Sequence, residues 1–151
     1  MHLQQAIARQ LALSTGSTYA ALEAITAGAG ARVFWALTAK NQNPPYVWLR
    51  KASRQPLANA MKSGLREPAM TVIEVTAVTK NQADAATLAD AATTDMLATV
   101  GLTPNESPPP SGQVYVQRID PGNEEDIVTE DTIGLGLAGE MRSFQVFTRT
   151  A

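Results

Sequence analysis

The sequence predicts an α+β domain: a mainly antiparallel β-sheet of about five strands, with one long helix and an N-terminal helix packed against it. Three observations carry that expectation. Met70 to Val78 alternates, with Ile73, Val75 and Ala77 on one face and Glu74 and Thr76 on the other, which reads as a half-buried strand. Directly after it, Asn81 can cap a helix, and Asp84 three residues later completes a capping-box-like start beside the positive end of the helix dipole. The remaining β-branched and aromatic runs are separated by short Pro-, Gly- and Asn-containing segments, which favours antiparallel neighbours over crossovers.

Taken in order, Leu3, Ile7 and Leu11 recur at fourfold spacing with Ala6 beside them, so a short amphipathic helix is expected over 2–13. Ser14 to Ser17 breaks it, and Tyr19 to Ile25 supports a further turn or two ended by Gly28 and Gly30. Arg32 to Thr38 and Tyr46 to Arg50 read as strands. Asn41 to Pro45 is turn chemistry, so the two strands are expected to form a hairpin. Residues 53–68 hold Pro56, Gly64 and Pro68 and read as a long loop or loosely formed hairpin arm. The main helix carries an apolar stripe of Ala85, Leu88, Ala89, Ala92, Met96 and Val100, with Gly101 placed for a left-handed C-terminal cap and Pro104 beyond it. Pro108-Pro109-Pro110 stiffens a connector too short to separate domains, and Val114 to Ile119 and Ser143 to Thr148 read as closing strands. Residues 1–151 are thus expected to form one domain.

Composition narrows the function classes. Apolar residues make up 44% and charged residues 17%, an ordinary globular balance, although only eight residues are aromatic and alanine supplies much of the apolar count. The formal net charge is −2, without the overall basic excess that phosphate neutralisation demands. Cysteine is absent and His2 is the single histidine, which excludes disulfides, Cys- or paired-His zinc sites and a Ser/His/Asp triad. The N-terminal ten residues carry polar groups where a signal peptide needs an apolar core, and no apolar run approaches the roughly 18 residues of a membrane span. The expectation is a protein made without export and without membrane contact, in which Asn105-Glu106-Ser107 has no role as a glycosylation acceptor.

Two motifs invite chemistry. Gly134-Leu135-Gly136-Leu137-Ala138-Gly139 matches the dinucleotide fingerprint in letters, but that chemistry needs a strand before it, a helix after it and a ribose-binding acid about 20 residues on. A strand-like segment follows instead, so the motif is read as a flexible glycine turn. Glu124, Glu125, Asp126, Glu130 and Asp131 form an acidic cluster with few apolar neighbours to desolvate it and no alternating calcium-loop pattern. It is read as a solvated loop or subunit contact. No catalytic residue, cofactor site or metal site is assigned, and the chain is expected not to be an enzyme.

Charge is segregated along the chain. Residues 24–66 hold seven bases, Arg32, Lys40, Arg50, Lys51, Arg54, Lys62 and Arg66, and no acid. Residues 119–140 hold seven acids, Asp120, Glu124, Glu125, Asp126, Glu130, Asp131 and Glu140, and no base. The two regions either fold onto one another within a monomer or meet across a head-to-tail interface of the kind that closes into rings. Arg50, Lys51, Arg54, Lys62, Arg66 and the five clustered acids are therefore the candidate inter-subunit contacts. The 50–66 arm, with Tyr46 and Trp48 nearby, is also an alternative single-strand nucleic-acid surface, although those aromatics are better used in the core.

The order of short motifs adds a resemblance. Gly30-Ala31-Arg32-Val33-Phe34, then Pro44-Pro45-Tyr46-Val47, then Ala83-Asp84-Ala85-Ala86-Thr87-Leu88-Ala89-Asp90-Ala91 follow one another as in the tail-terminator or tail-completion proteins of long-tailed phages. The chain resembles that family over about residues 1–100, and more loosely in the last strand near Phe144 to Phe147. The resemblance implies a virion subunit assembled in the host cytoplasm: a homo-oligomeric ring, usually a hexamer, that caps the tail tube, ends tube polymerisation and offers a docking surface to the head connector. Its implied partners are further copies of itself, the tail tube protein and head–tail connector proteins, with DNA only passing through the lumen. Another head–tail connector or neck protein is the alternative.

Overall fold

A computed structural model describes residues 3–30, 32–35, 43–56, 69–99, 114–127 and 136–150, with the backbone alone described at 5–6, 56, 114–115, 123–127 and 149–150. Along these residues the elements run α1 (Leu3–Leu11), α2 (Ser17–Ile25), β1 (Val33–Trp35), β2 (Tyr46–Pro56), β3 (Ala69–Thr79), α3 (Gln82–Leu97), β4 (Val114–Ile127) and β5 (Ala138–Thr150). The strands form one five-stranded sheet in the order β1-β2-β3-β5-β4. All pairings are antiparallel except β1 with β2. The expected α+β class, with helices against a mainly antiparallel sheet, is what the chain adopts.

The central strand β3 is where the period-2 pattern is clearest, and its odd-numbered residues face the helices. Ile73, Val75 and Ala77 are buried, and the register sets Ile73 beside Phe144 and Thr71 beside Val146. Against this face α3 packs its stripe of Ala85, Leu88, Ala89, Ala92 and Met96, while Ile7, Leu11 and Leu22 bring α1 and α2 into the same cluster. Each fully buried Leu or Ile there contributes about 1.5–3 kcal/mol, and the small alanines let α3 lie close to the sheet. Its start is as read: Asn81 accepts a hydrogen bond from the Asp84 amide at 2.8 Å.

Several boundaries differ from the expectation. The strands β1 and β2 are parallel neighbours, Val33 beside Val47 and Trp35 beside Leu49, and not a hairpin. The segment between Trp35 and Tyr46 is long enough to run back along the sheet before β2 starts, whereas a hairpin needs a turn of about two to five residues. Turn chemistry specifies that the chain bends, and says nothing of how far it returns. α3 ends at Leu97 with Ala98 as its cap, three residues before Gly101, because the Ala98 amide already closes the last turn on Thr94. Val100, Gly101, Pro104 and the 103–112 connector lie outside the described residues. Three strands are longer than read: β2 runs on through Arg54 to Pro56, β4 through the acidic run to Ile127, and β5 already starts at Ala138. In β2 the exposed, polar and charged side chains of residues 50–55 conceal the strand.

The face away from the helices carries a smaller cluster of Tyr46 and Val78, with Phe34, Trp48 and Leu137 packed on it. Phe34 and Tyr46 meet edge to face, with centroids 6.1 Å apart and 65° between planes. Both aromatics of the proposed stacking surface, Tyr46 and Trp48, are thus used in packing.

Candidate assembly surface

The helices cover one face of the sheet, and the edges carry the charge. β1 pairs only with Val47 to Leu49, so among the described residues the outer edge of β2 is open from Arg50 to Pro56. That edge is Arg-Lys-Ala-Ser-Arg-Gln-Pro, three bases and no acid. At the other end of the sheet β4 is, among the described residues, the edge strand, and it holds Asp120, Glu124, Glu125 and Asp126 against one base, Arg118. Two strands, β3 and β5, separate the basic edge from the acidic one.

This settles where the candidate residues stand. Arg50, Lys51 and Arg54 lie together on exposed β2. Arg50 is bound to Glu74 across the sheet, Nη2 to Oε2 at 2.6 Å, in register with it. Among the described residues Lys51 and Arg54 have no carboxylate partner. Glu124, Glu125 and Asp126 lie in strand β4, not in a loop, in register with Arg142, Met141 and Glu140. Lys62, Arg66, Glu130 and Asp131 lie outside the described residues.

Both edges are irregular. β2 shifts register between Lys51 and Ser53, and β4 between Val116 and Arg118 and again between Pro121 and Glu124. At the last of these a Cβ on Gly122 would come within 2.5 Å of Ser143 Oγ and 3.0 Å of its carbonyl oxygen, so only glycine allows that close approach. Charge, bulges and Pro121 are the usual guards of an exposed edge against indiscriminate pairing. Arg118 lies 4.2 Å over the Phe147 ring and 3.1 Å from Asp120, holding one end of the β4 edge in place.

Two buried polar assemblies escaped the sequence reading. On the helix face Arg142 binds Asp90 of α3, and it reaches Glu140 at 3.3 Å and the Thr93 hydroxyl at 3.2 Å. Burial disfavours its charge, but the hydrogen bonds and charges of Asp90 and Glu140 outweigh this and raise its pKa. In the second assembly buried Asp95 of α3 accepts the amides of Ser17 at 3.1 Å and Thr18 at 2.8 Å. Its only sequence signal is phase: residue 95 falls three after Ala92 and seven after Leu88, inside the apolar stripe.

At the turn after α2, Glu23 accepts amides from Gly28 at 2.9 Å and Gly30 at 2.8 Å, both glycines holding positive φ. These bonds lower the Glu23 pKa below 4.5, so its contribution to stability is present above the ordinary carboxylate range and lost as pH falls through the lowered value. Glu23→Gln is expected to destabilise the chain at pH 7, with the difference from wild type vanishing in acid. Urea titrations at neutral and acid pH check this, and a difference that persists unchanged in acid would contradict it.

The glycine motif is also placed. Gly136 has φ 73°, in the left-handed region of a turn, and strand β5 begins at Ala138 where a nucleotide site needs a helix. Among the described residues no helix is long and apolar enough to cross a membrane.

Fold and edges define an α+β sheet domain with helices on one face and, among the described residues, two oppositely charged sheet edges. No protein-family model and no curated protein matches the sequence. Among solved structures, the chain is similar to a chain in the virion of a native gene transfer agent particle, with a TM-score of 0.60 over 97% of this chain and 94% of that chain. Identity is 16%, so the likeness is one of fold.

Proposed function

We propose that this chain is a structural subunit of a phage-type virion, and within it the ring that caps the tail tube. The observation that carries the reading is the fold match to a virion chain, which covers 97% of this chain and 94% of that chain. The ordered motifs from Gly30 to Ala91 and the segregation of charge to opposite sheet edges point the same way. In this reading the chain is not an enzyme. It closes head to tail on itself into a ring of about six copies, since heterologous contacts that close generate rings. One face of the ring ends tube polymerisation, the other receives the head connector, and DNA passes through the lumen without tight phosphate contacts.

The test is to polymerise the particle's tail tube protein with and without the purified chain and to image the products by negative stain. Tubes bearing a ring at one end and arrested in length are expected. Tubes of unchanged length with bare ends would overturn the capping function.

A further inference from the structure

We propose that the joint between copies is the sheet itself: the open β2 edge of one copy adds as a strand to the β4 edge of the next. This rests on the ring reading and deepens it by naming the contact. Strand direction permits it. Across the order β2-β3-β5-β4 every step is antiparallel, so β4 runs opposite to β2. A neighbour placed in the same orientation therefore presents its β2 antiparallel to the first copy's β4, and the sheet continues without a break in pattern. Among the described residues β1 pairs with β2 as far as Leu49, which leaves this pairing possible.

Charge then selects the partner. Pairing β2 with the β2 of a second copy brings Arg50, Lys51 and Arg54 against the same three bases, and pairing β4 with β4 brings Asp120, Glu124, Glu125 and Asp126 against the same four acids. Like charges set opposite one another across strands destabilise, so both two-fold pairings are disfavoured. Only the heterologous pairing of β2 with β4 joins opposite charges. It uses a different patch on each side, which propagates, and it closes into a ring when the rotation between copies allows. The guards seen on both edges serve the same end, rejecting other strands while opposite charge admits this one.

The test is a charge exchange between two variants. One carries Lys51→Glu and Arg54→Glu, so that both edges are acidic; the other carries Glu124→Lys and Glu125→Lys, so that both edges are basic. Circular dichroism and thermal unfolding confirm that each folds before assembly is read. Each variant alone is expected to need at least about tenfold more protein to assemble than wild type, as like-charge juxtaposition requires. An equimolar mixture is expected to recover assembly, in rings where the two alternate. Amide hydrogen exchange on wild-type assemblies should show slowing at 50–56 and along 114–127 relative to the monomer. Rings that form equally well from each variant alone, or assembled wild type whose 50–56 and 114–127 amides exchange as in the monomer, would overturn the strand joint while leaving the ring reading intact. Wild type that forms no ring under any condition would overturn the ring reading first. Protection of these edges only on adding tube protein would assign them to that partner and overturn the joint between copies.

Discussion

Arg142→Met is expected to cost about 3–5 kcal/mol of folding stability, the usual result of removing one member of a buried ion pair. The side chain of Arg142 is 12% exposed and that of Glu140 10% exposed, so loss of the guanidinium strands a carboxylate with little access to water. Among the described residues one Glu140 oxygen has no hydrogen-bond partner, which leaves little to compensate. Asp90 is 70% exposed and returns to solvent at small cost, so Asp90→Ala should remove no more than about 1 kcal/mol. Adding Glu140→Leu to Arg142→Met is expected to recover most of the loss, because an apolar pair of similar volume carries no desolvation penalty. Urea unfolding of the two single variants and the double variant forms a cycle whose coupling is the readout. A cost under about 1 kcal/mol for Arg142→Met, with no recovery in the double variant, would mean that the pair is solvated and that α3 is held to β5 by apolar contact alone.

The second large effect is expected at Asp95. Helix α2 starts after Gly16, which has no side chain to cap it, and a carboxylate from another helix does the work: Asp95, 5% exposed, accepts the amides of Ser17 and Thr18. Asp95→Ala removes the acceptor and leaves two donors without a partner, one of them buried, for an expected loss of about 2–3 kcal/mol. Asp95→Asn keeps one acceptor oxygen and should lose about half as much. Hydrogen exchange separates local from global effects: the Ser17 and Thr18 amides should speed up most in Asp95→Ala, ahead of the amides of α3. Equal stability of Asp95→Ala and wild type would contradict the capping role.

What could be read in the sequence follows the physics of each signal. β3 and α3 were legible because burial on one face imposes a period, 2 for Met70 to Val78 and 3.6 for Ala85 to Met96, and the Asn81 cap is a local interaction written within four residues. The outer half of β2 was not, since neither face of an exposed, charged strand imposes such a pattern, and the far half of β4 carries no alternation of apolar residues. The acidic run 124–126 reads as a solvated loop or subunit contact for this reason, although its backbone continues the sheet beside Arg142, Met141 and Glu140. The direction of β1 was illegible because Val33 to Trp35 packs equally well in either direction, and the choice lies in a connector that carries no pairing pattern. For the candidate surface, the bases and acids were readable as composition. That they occupy opposite edges of one sheet depends on the strand order, which places β5 between β3 and β4 and which no local residue encodes.

The central claim is head-to-tail closure into a ring, and the solution mass of the purified chain over a range of concentrations tests it most directly. Light scattering should give a discrete species of about six subunits, or a monomer converted to that species by tube ends, with rings in negative stain. A chain that stays monomeric at every concentration, and neither assembles on nor binds tube ends, would contradict the account.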